Sequence, residues 1–372
     1  MNRNMASDKT IVISINTSWN IINFRSSLIV RLQKQGYDVV ALSPEDGHGP
    51  ALAALGVRHI NLPIDSKGLS PLRDLHLTLH YWRVLKKLRP IVFLGWTIKP
   101  NIYGSLAAHA IGVPVINNIS GLGTVFIKKS LLTLLVRSLY RTALSRSTTV
   151  FFQNHHDRDL FVQQRIVQEK QTALLPGSGI DLVQFDPESG IADNTPHLFL
   201  MVARLLRDKG VVEFVDAARI VRSMRPNVEF HLLGFLDVAN RTAISREMVE
   251  GWQAEGVIDY LGEAADVRPY LAAASTVVLP SYREGMPRSL LEAAAMARPL
   301  IATDVPGCTE IARAGENAFL CRPRDARSLA DAMIAMLDLT FEARAEMGAR
   351  SRAIAETEFD TAVVEAHYLD AI

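Results

Sequence analysis

At 372 residues the chain exceeds one ordinary domain, and with 48% hydrophobic and 21% charged residues it has the make-up of a globular protein, not of a disordered or fibrous one. Two cysteines, Cys308 and Cys321, are too few for a disulfide framework and point to a reducing compartment, and no uncharged apolar run approaches the roughly 18 residues that span a bilayer. The net charge of +1 hides an asymmetry: residues 1–185 carry 21 Lys and Arg against 10 Asp and Glu, a charge of +11, while the remainder carries 19 against 29, a charge of −10. A basic half suits an anionic partner such as nucleic acid, an anionic membrane or a pyrophosphate-bearing acceptor, although solvated surface charge could divide the same way.

The first apolar run, Ile11–Ile15, has the length of a strand and not of a signal peptide, which places the chain in the cytosol or at most on a membrane face. In the first half the spacing predicts strands at Ile11–Asn16, Asp38–Leu42, Ile60–Pro63, Ile91–Trp96, Pro114–Asn118, Thr149–Gln153 and Thr172–Leu175. Helical patterns such as Arg25–Gly36 and Leu75–Leu88 lie between them, each ending near Gly or Pro. The turn after the first strand, Thr17 to Arg25, has no glycine, so a dinucleotide cofactor is disfavoured. Asn23, Arg25, Lys99 and Asn101 fall near strand ends and are candidates to contact an acceptor or phosphate; helix capping and surface charge account for them slightly better.

Two segments are basic and apolar together. Tyr81-Trp82-Arg83 is followed by Lys86, Lys87 and Arg89, and Phe126–Arg146 sets Leu131, Leu132, Leu135 and Leu139 on one helical face with Arg137 and Arg141 away from it. Such a helix can rest on an anionic membrane, or simply pack on a core behind a solvated basic face. His155-His156-Asp157 follows a strand and precedes a helical segment, which suits helix-start capping better than a metal or a base. Neither Cys-x-x-Cys nor His-Glu-x-x-His is present, and both cysteines read as packing residues.

After a polar break, Asp186–Pro196, the rhythm restarts with strands at His197–Ala203, Val228–Leu233, Val257–Leu261, Thr276–Pro280, Leu300–Thr303 and Ala318–Cys321, and helices at Val211–Met224, Arg288–Ala297 and Ala326–Leu337. Two successive β-α-β rhythms predict an α/β chain with two doubly wound, Rossmann-like domains: 1–185, 186–350, and a terminal helix in 351–372 packing back toward the first. Ligands would sit at the carboxyl ends of the strands, in a crevice between the domains.

Two stretches of the second half carry chemistry. Thr276–Leu279 runs through a Gly- and Pro-containing loop into a helix starting near Arg288, whose free amides form an anion site, with Glu284 before that helix and Glu292 inside it. Carboxylates so placed would bracket a diphosphate and accept from vicinal sugar hydroxyls. The strand His197–Ala203 ends at Arg204, and Lys209 follows five residues on; two cations at a matching strand end neutralise a diphosphate. Taken singly each of the four is equally a surface charge; together they form the two halves of one site.

At these residues the sequence resembles glycosyltransferase family 4, of GT-B architecture, over nearly its whole length. Glu284 and Glu292 match the family's E-x7-E signature, and Arg204 with Lys209 its Arg…Lys pair. The resemblance implies retaining transfer from a nucleotide sugar with no bound metal. Arg204 and Lys209 would hold the donor diphosphate and stabilise the departing nucleoside diphosphate, Glu292 the ribose, Glu284 the sugar, and the Gly285-Met286-Pro287-Arg288-Ser289 backbone would cradle phosphate and sugar. Asn23-Phe24-Arg25, Ser120-Gly121-Leu122-Gly123, Phe152-Gln153-Asn154, Leu279-Pro280-Ser281-Tyr282 and Val305-Pro306-Gly307-Cys308 resemble the branch that extends undecaprenyl-diphosphate-linked saccharides, N-acetylgalactosaminyl- and galactosyltransferases among them, with UDP as the usual donor nucleotide. Gly123 joins the acceptor candidates on this ground. Where many members carry a histidine after a first-domain strand, this chain reads Asn117 to Gly123 without one.

The expectation is therefore a hexosyltransferase using a UDP-sugar as substrate, no cofactor, and a lipid-diphosphate-linked saccharide acceptor, peripheral at the inner membrane face. A GT-B epimerase or phosphorylase, a transferase with a soluble acceptor, and a non-catalytic partner subunit are the rivals. A nucleic-acid binder is opposed by basic residues scattered over many elements without a helix-turn-helix or RNP-like motif.

Overall fold

The computed structural model describes residues 9–65, 68, 70–121, 131–187, 196–237 and 240–372. They divide into two compact units, Met1–Ser178 with Thr361–Ile372, and Gly179–Asp360.

In the first unit the strands are β1 (Thr10–Ser14), β2 (Asp38–Ser43), β3 (Arg58–Asn61), β4 (Val92–Trp96), β5 (Val115–Ile119), β6 (Thr149–Phe152) and β7 (Thr172–Leu174), joined by α1 (Ser18–Lys34), α2 (Gly49–Ala54), α3 (Pro71–Leu88), α4 (Ser105–His109), α5 (Leu131–Leu144) and α6 (His155–Gln163). All pairings are parallel, in the order β3-β2-β1-β4-β5-β6-β7. Strands covered on both faces need continuous apolar runs, and β1 and β4 are buried along their whole length.

The second unit holds β8 (His197–Val202), β9 (Val228–Leu233), β10 (Asp259–Tyr260), β11 (Thr276–Leu279), β12 (Leu300–Thr303) and β13 (Ala318–Cys321), with α7 (Val211–Met224), α8 (Arg246–Ala254), α9 (Arg268–Ala273), α10 (Arg288–Ala295), α11 (Ala326–Leu337) and α12 (Phe341–Glu358). Its sheet is again parallel, ordered β10-β9-β8-β11-β12-β13. Both sheets reverse direction of winding once, between β1 and β4 and between β8 and β11; these switch points are where an open α/β sheet leaves room for a ligand.

Both unit boundaries differ from those expected at 185 and 350. Ile180 and Phe185 are buried in the second unit's core beside Leu271 and Leu290, so the second unit begins at Gly179. Residues 351–358 stay with that unit as the end of α12, where Ile354, Ala355 and Phe359 join the same core. Only α13 (Thr361–Ala371) returns to the first unit. There Tyr368 packs on Trp96 and Phe151, and its hydroxyl accepts from Asn118 Nδ2 at 2.9 Å.

Helix starts follow local capping. α1 begins seven residues earlier than the apolar spacing suggests because the Thr17 hydroxyl accepts from Asn20 N–H. α6 is capped by Asn154, which accepts from Asp157 N–H at 2.8 Å, so the His-His-Asp run serves a helix start. In α5 the buried side is Val136, Tyr140, Ala143 and Leu144; of the leucine stripe Leu139 packs against that core and Leu135 is exposed, while the side chains of Leu131 and Leu132 lie outside the described residues. Arg141 there donates to the carbonyls of Gln164 and Arg165. Both cysteines are buried free thiols, Cys308 pushed well up in pKa by burial and then by the Glu284 charge.

Candidate functional site

The second sheet's switch point is flanked by β8 and β11, and each strand ends in a charged loop. From β8 the chain passes Arg204 and a short turn, Arg207–Lys209, closed by Gly210 at φ 76°. From β11 it passes Pro280 to Pro287 and enters α10. The loops are bonded directly: Tyr282 N–H donates to the Asp208 carbonyl at 2.9 Å. A Cβ on Gly210 would lie 2.1 Å from the Pro280 carbonyl oxygen, so only glycine permits this approach.

That seam brings Lys209 to Glu284. Lys209 Nζ lies 2.5 Å from Glu284 Oε1, with the two side chains 20% and 11% exposed. The same oxygen accepts from Ser281 Oγ at 2.7 Å. Ser281 is fixed in turn, its carbonyl accepting from Thr303 Oγ1 at the end of β12. Gly307, at φ 84°, lets a further loop pass close below; a Cβ there would fall 2.5 Å from the Gly285 carbonyl oxygen and 2.7 Å from that of Glu284. Behind the seam Tyr282 donates to Glu213 Oε1 at 2.6 Å, and Arg324 stacks 4.7 Å over the Tyr282 ring.

One turn into α10, Arg288 Nε donates to Glu292 Oε1 at 2.8 Å. Burial raises the Glu292 carboxyl above its ordinary pKa, and Arg288 offsets part of that rise. The start of α10 has Pro287 at its cap, no side-chain cap and no acid in the first turn. Among the described residues no carboxylate caps its positive dipole end, the condition under which a helix start attracts a phosphate. Ser289 is half-buried on that first turn, and Met286 packs against the unit's core. Arg204 is exposed at the end of β8, and its guanidinium makes no ion pair or hydrogen bond with the described residues. Two cations, two carboxylates and an uncapped helix start thus gather past the carboxyl ends of β8 and β11.

The first unit treats its own switch point differently. Asp46 Oδ2 accepts from Ser18 N–H at 2.7 Å and Trp19 N–H at 3.3 Å, so a protein carboxylate occupies the start of α1. Burial opposes the Asp46 charge, and these bonds outweigh it, holding the carboxyl below its ordinary pKa. The acceptor candidates are mostly engaged within the unit. Asn23 Nδ2 donates to the Trp19 carbonyl; Arg25 is 6% exposed, with its guanidinium 5.1 Å over the Trp96 ring. Lys99 pairs with Asp74 at 2.5 Å, and Asn101 is buried, donating to the Asn118 carbonyl. Gly123 lies outside the described residues. Among the described residues no three His, Cys, Asp or Glu side chains gather as a metal site.

Ser281, Gly210, Gly307 and the Glu213–Tyr282 pair hold the site but were not expected from sequence. Ser281 and Tyr282 lie in the Leu279-Pro280-Ser281-Tyr282 stretch and Gly307 in the Val305-Pro306-Gly307-Cys308 stretch that carry the resemblance, and Gly210 directly follows Lys209; nothing in the sequence marked Glu213.

Two family profiles match the chain, one per half: residues 11–154 match the glycosyl transferase 4-like family, and residues 196–339 match the glycosyl transferases group 1 family. The chain belongs to these glycosyltransferases. It is 27% identical, over 86% of its length and 87% of the relative's, to the N,N'-diacetylbacillosaminyl-diphospho-undecaprenol alpha-1,3-N-acetylgalactosaminyltransferase of Campylobacter jejuni. It is 23% identical, over 82% of each chain, to the UDP-Gal:alpha-D-GlcNAc-diphosphoundecaprenol alpha-1,3-galactosyltransferase of Escherichia coli. Among solved structures, a glycosyltransferase from Rickettsia africae superposes with a TM-score of 0.80 at 16% identity, covering 98% of this chain and 97% of that one. Anabaena HepE, solved with UDP-glucose, superposes at 0.77 and 18% identity, covering 98% of this chain and all of its own. These two likenesses confirm the GT-B fold, and the enzyme is a hexosyltransferase of that fold.

Proposed function

We propose that this glycosyltransferase moves a hexose or N-acetylhexosamine, galactose or N-acetylgalactosamine first, from UDP to an undecaprenyl-diphosphate-linked saccharide at a membrane face, with retention of configuration, in cell-surface glycan assembly. The observation that carries the reading is the Lys209–Glu284 seam, with Arg204 and Glu292 past the carboxyl ends of the same two strands. Relatives named for undecaprenyl-diphosphate acceptors support the acceptor class. The second names UDP-Gal and an alpha product; UDP-galactose is itself alpha-linked, so an alpha product means retention.

On this reading Arg204 and Lys209 take the diphosphate, the start of α10 shares its charge, Glu292 receives the ribose hydroxyls and Glu284 the sugar. The bond from the anomeric carbon to the β-phosphate oxygen breaks, and the acceptor oxygen bonds to that carbon. The acceptor proton passes to the departing phosphate. Negative charge grows on the leaving UDP, so preorganised cations act where charge develops, and no metal is required for that work. Losing either cation costs on the order of 10²-fold in rate.

The test is UDP release from a panel of UDP-sugars, with and without an undecaprenyl-diphosphate saccharide, for wild type and Glu284→Gln. Acceptor-dependent release with one sugar, lost in the variant, is expected. Isomerised donor without acceptor would make the enzyme an epimerase, and equal release with a soluble saccharide would remove the lipid from the reading.

A further inference from the structure

The outward pole of α3 carries exposed leucines that join none of the hydrophobic cores of the described residues. The helix buries Leu77, Tyr81, Leu85 and Leu88. At 100° per residue the opposite pole is occupied, to within about 40°, by Leu72, Leu79, Arg83 and Lys86, with Leu75 beside them. Leu72 is 80% exposed, Leu75 58% and Leu79 43%. The leucines span roughly 10 Å of helix at 1.5 Å per residue. Cations follow on the same side: Arg83, Lys86 and Lys87, none in an ion pair with the described residues, Lys86 lying 4.6 Å over the Trp82 ring. The helix's acidic residue, Asp74, is consumed by Lys99 and Tyr103.

We infer that α3 is a membrane-docking helix, its leucines entering the headgroup–acyl boundary of an anionic bilayer and its cations pairing with lipid phosphates. Leucines set singly on a surface need no partner, but three in register with unpaired cations match what a bilayer interface rewards, apolar area and positive charge on one face. Charge complementarity chooses the occupant: a second copy would bring the same cations against themselves, whereas the excess of +11 over residues 1–185 favours an anionic surface. The inference deepens the proposed function and rests on it for the nature of the acceptor, since a lipid-linked saccharide keeps its sugar at such a surface.

The experiment is co-sedimentation of the full chain with vesicles of phosphatidylcholine containing phosphatidylglycerol, against phosphatidylcholine alone, for wild type, Leu75→Gln/Leu79→Gln and Lys86→Glu/Lys87→Glu. These sites are exposed, and thermal melting confirms that each variant folds. Salt-sensitive binding to the anionic vesicles is expected, weakened at least tenfold by the leucine pair and more than tenfold by the charge reversal. UDP release with a soluble short-chain acceptor should stay within twofold of wild type for both, which separates docking from the transfer reaction. Wild type that ignores anionic vesicles, or binds them equally in both variants, overturns the inference. A dimer in lipid-free sedimentation that the leucine pair dissolves would assign the face to a second copy instead.

Discussion

Replacing Gly307 by alanine should disable the enzyme without touching a charged group. The new Cβ would lie 2.5 Å from the Gly285 carbonyl oxygen and 2.7 Å from that of Glu284, both backbone atoms. Ordinary contact needs about 3.4 Å or more, so the loop carrying Glu284 must retreat by roughly 1 Å. Glu284 would then part from Lys209 Nζ or drag it along, and a 1 Å misplacement at reacting groups costs about 10²-fold in rate. The left-handed φ of 84° adds strain of about 1 kcal/mol for any side chain, or about 2–4 °C of melting temperature in a unit of this size. Gly315 is the control, with φ 74° and nothing within 4 Å of a built Cβ. Gly315→Ala should show the strain alone: a lower melting temperature and unchanged kcat. Steady-state UDP release and thermal melting of both variants decide the matter. A Gly307→Ala enzyme with wild-type kcat would refute the claim that this loop sets the position of Glu284.

Other substitutions probe the rest of the frame. Ser281→Ala removes the hydroxyl that donates to Glu284. It should lower kcat about fivefold, near 1 kcal/mol, with UDP affinity unchanged by calorimetry. Tyr282→Phe leaves Glu213, whose Oε2 is already buried without a partner among the described residues, lacking its hydroxyl donor too. It should cost about 1–3 kcal/mol in denaturant unfolding. His197 is 8% exposed, with its pKa lowered to about 4 by burial and by Arg344. The folded state holds it neutral while the unfolded chain takes a proton below its ordinary value of 6.5, so its contribution is present above pH 6.5 and lost as pH falls toward 4. The loss approaches about 3 kcal/mol, and stability against pH for His197→Gln should be flatter than wild type over that window.

Legibility in the sequence followed the physics of burial. Parallel strands covered on both faces must be apolar runs, which is why β12, buried along its whole length, ends where its run ends. β10 kept only Asp259 and Tyr260 of its expected five residues, pairing at the sheet edge with β9 alone. The inward positions at the start of α1 include Ser18 and Arg25 beside Ile21, which blurs the apolar spacing there, so that helix start depended on a cap rather than a pattern. The unit boundary falls within Pro176-Gly177-Ser178-Gly179, ahead of the longer polar break at Asp186–Pro196 that drew the expectation, and packing shows which core receives Ile180 and Phe185. The places of Arg204, Lys209 and Glu284 were readable because they follow strands whose ends were readable, and that of Glu292 because the start of α10 was. The acceptor candidates were chosen on the same basis, yet Lys99 and Asn101 find partners in Asp74 and Asn118, which lie 25 and 17 residues away. Strand-end position alone does not distinguish a side chain that waits for a ligand from one already satisfied by the fold.

The most direct test of the donor site is calorimetric titration of UDP into wild type, Arg204→Ala/Lys209→Ala and Glu292→Gln. Binding to wild type, loss of at least 10²-fold in the double variant and a smaller loss in Glu292→Gln are predicted. UDP affinity unchanged in the double variant would contradict the placement of the diphosphate at the end of β8 and with it the assignment of the charged seam.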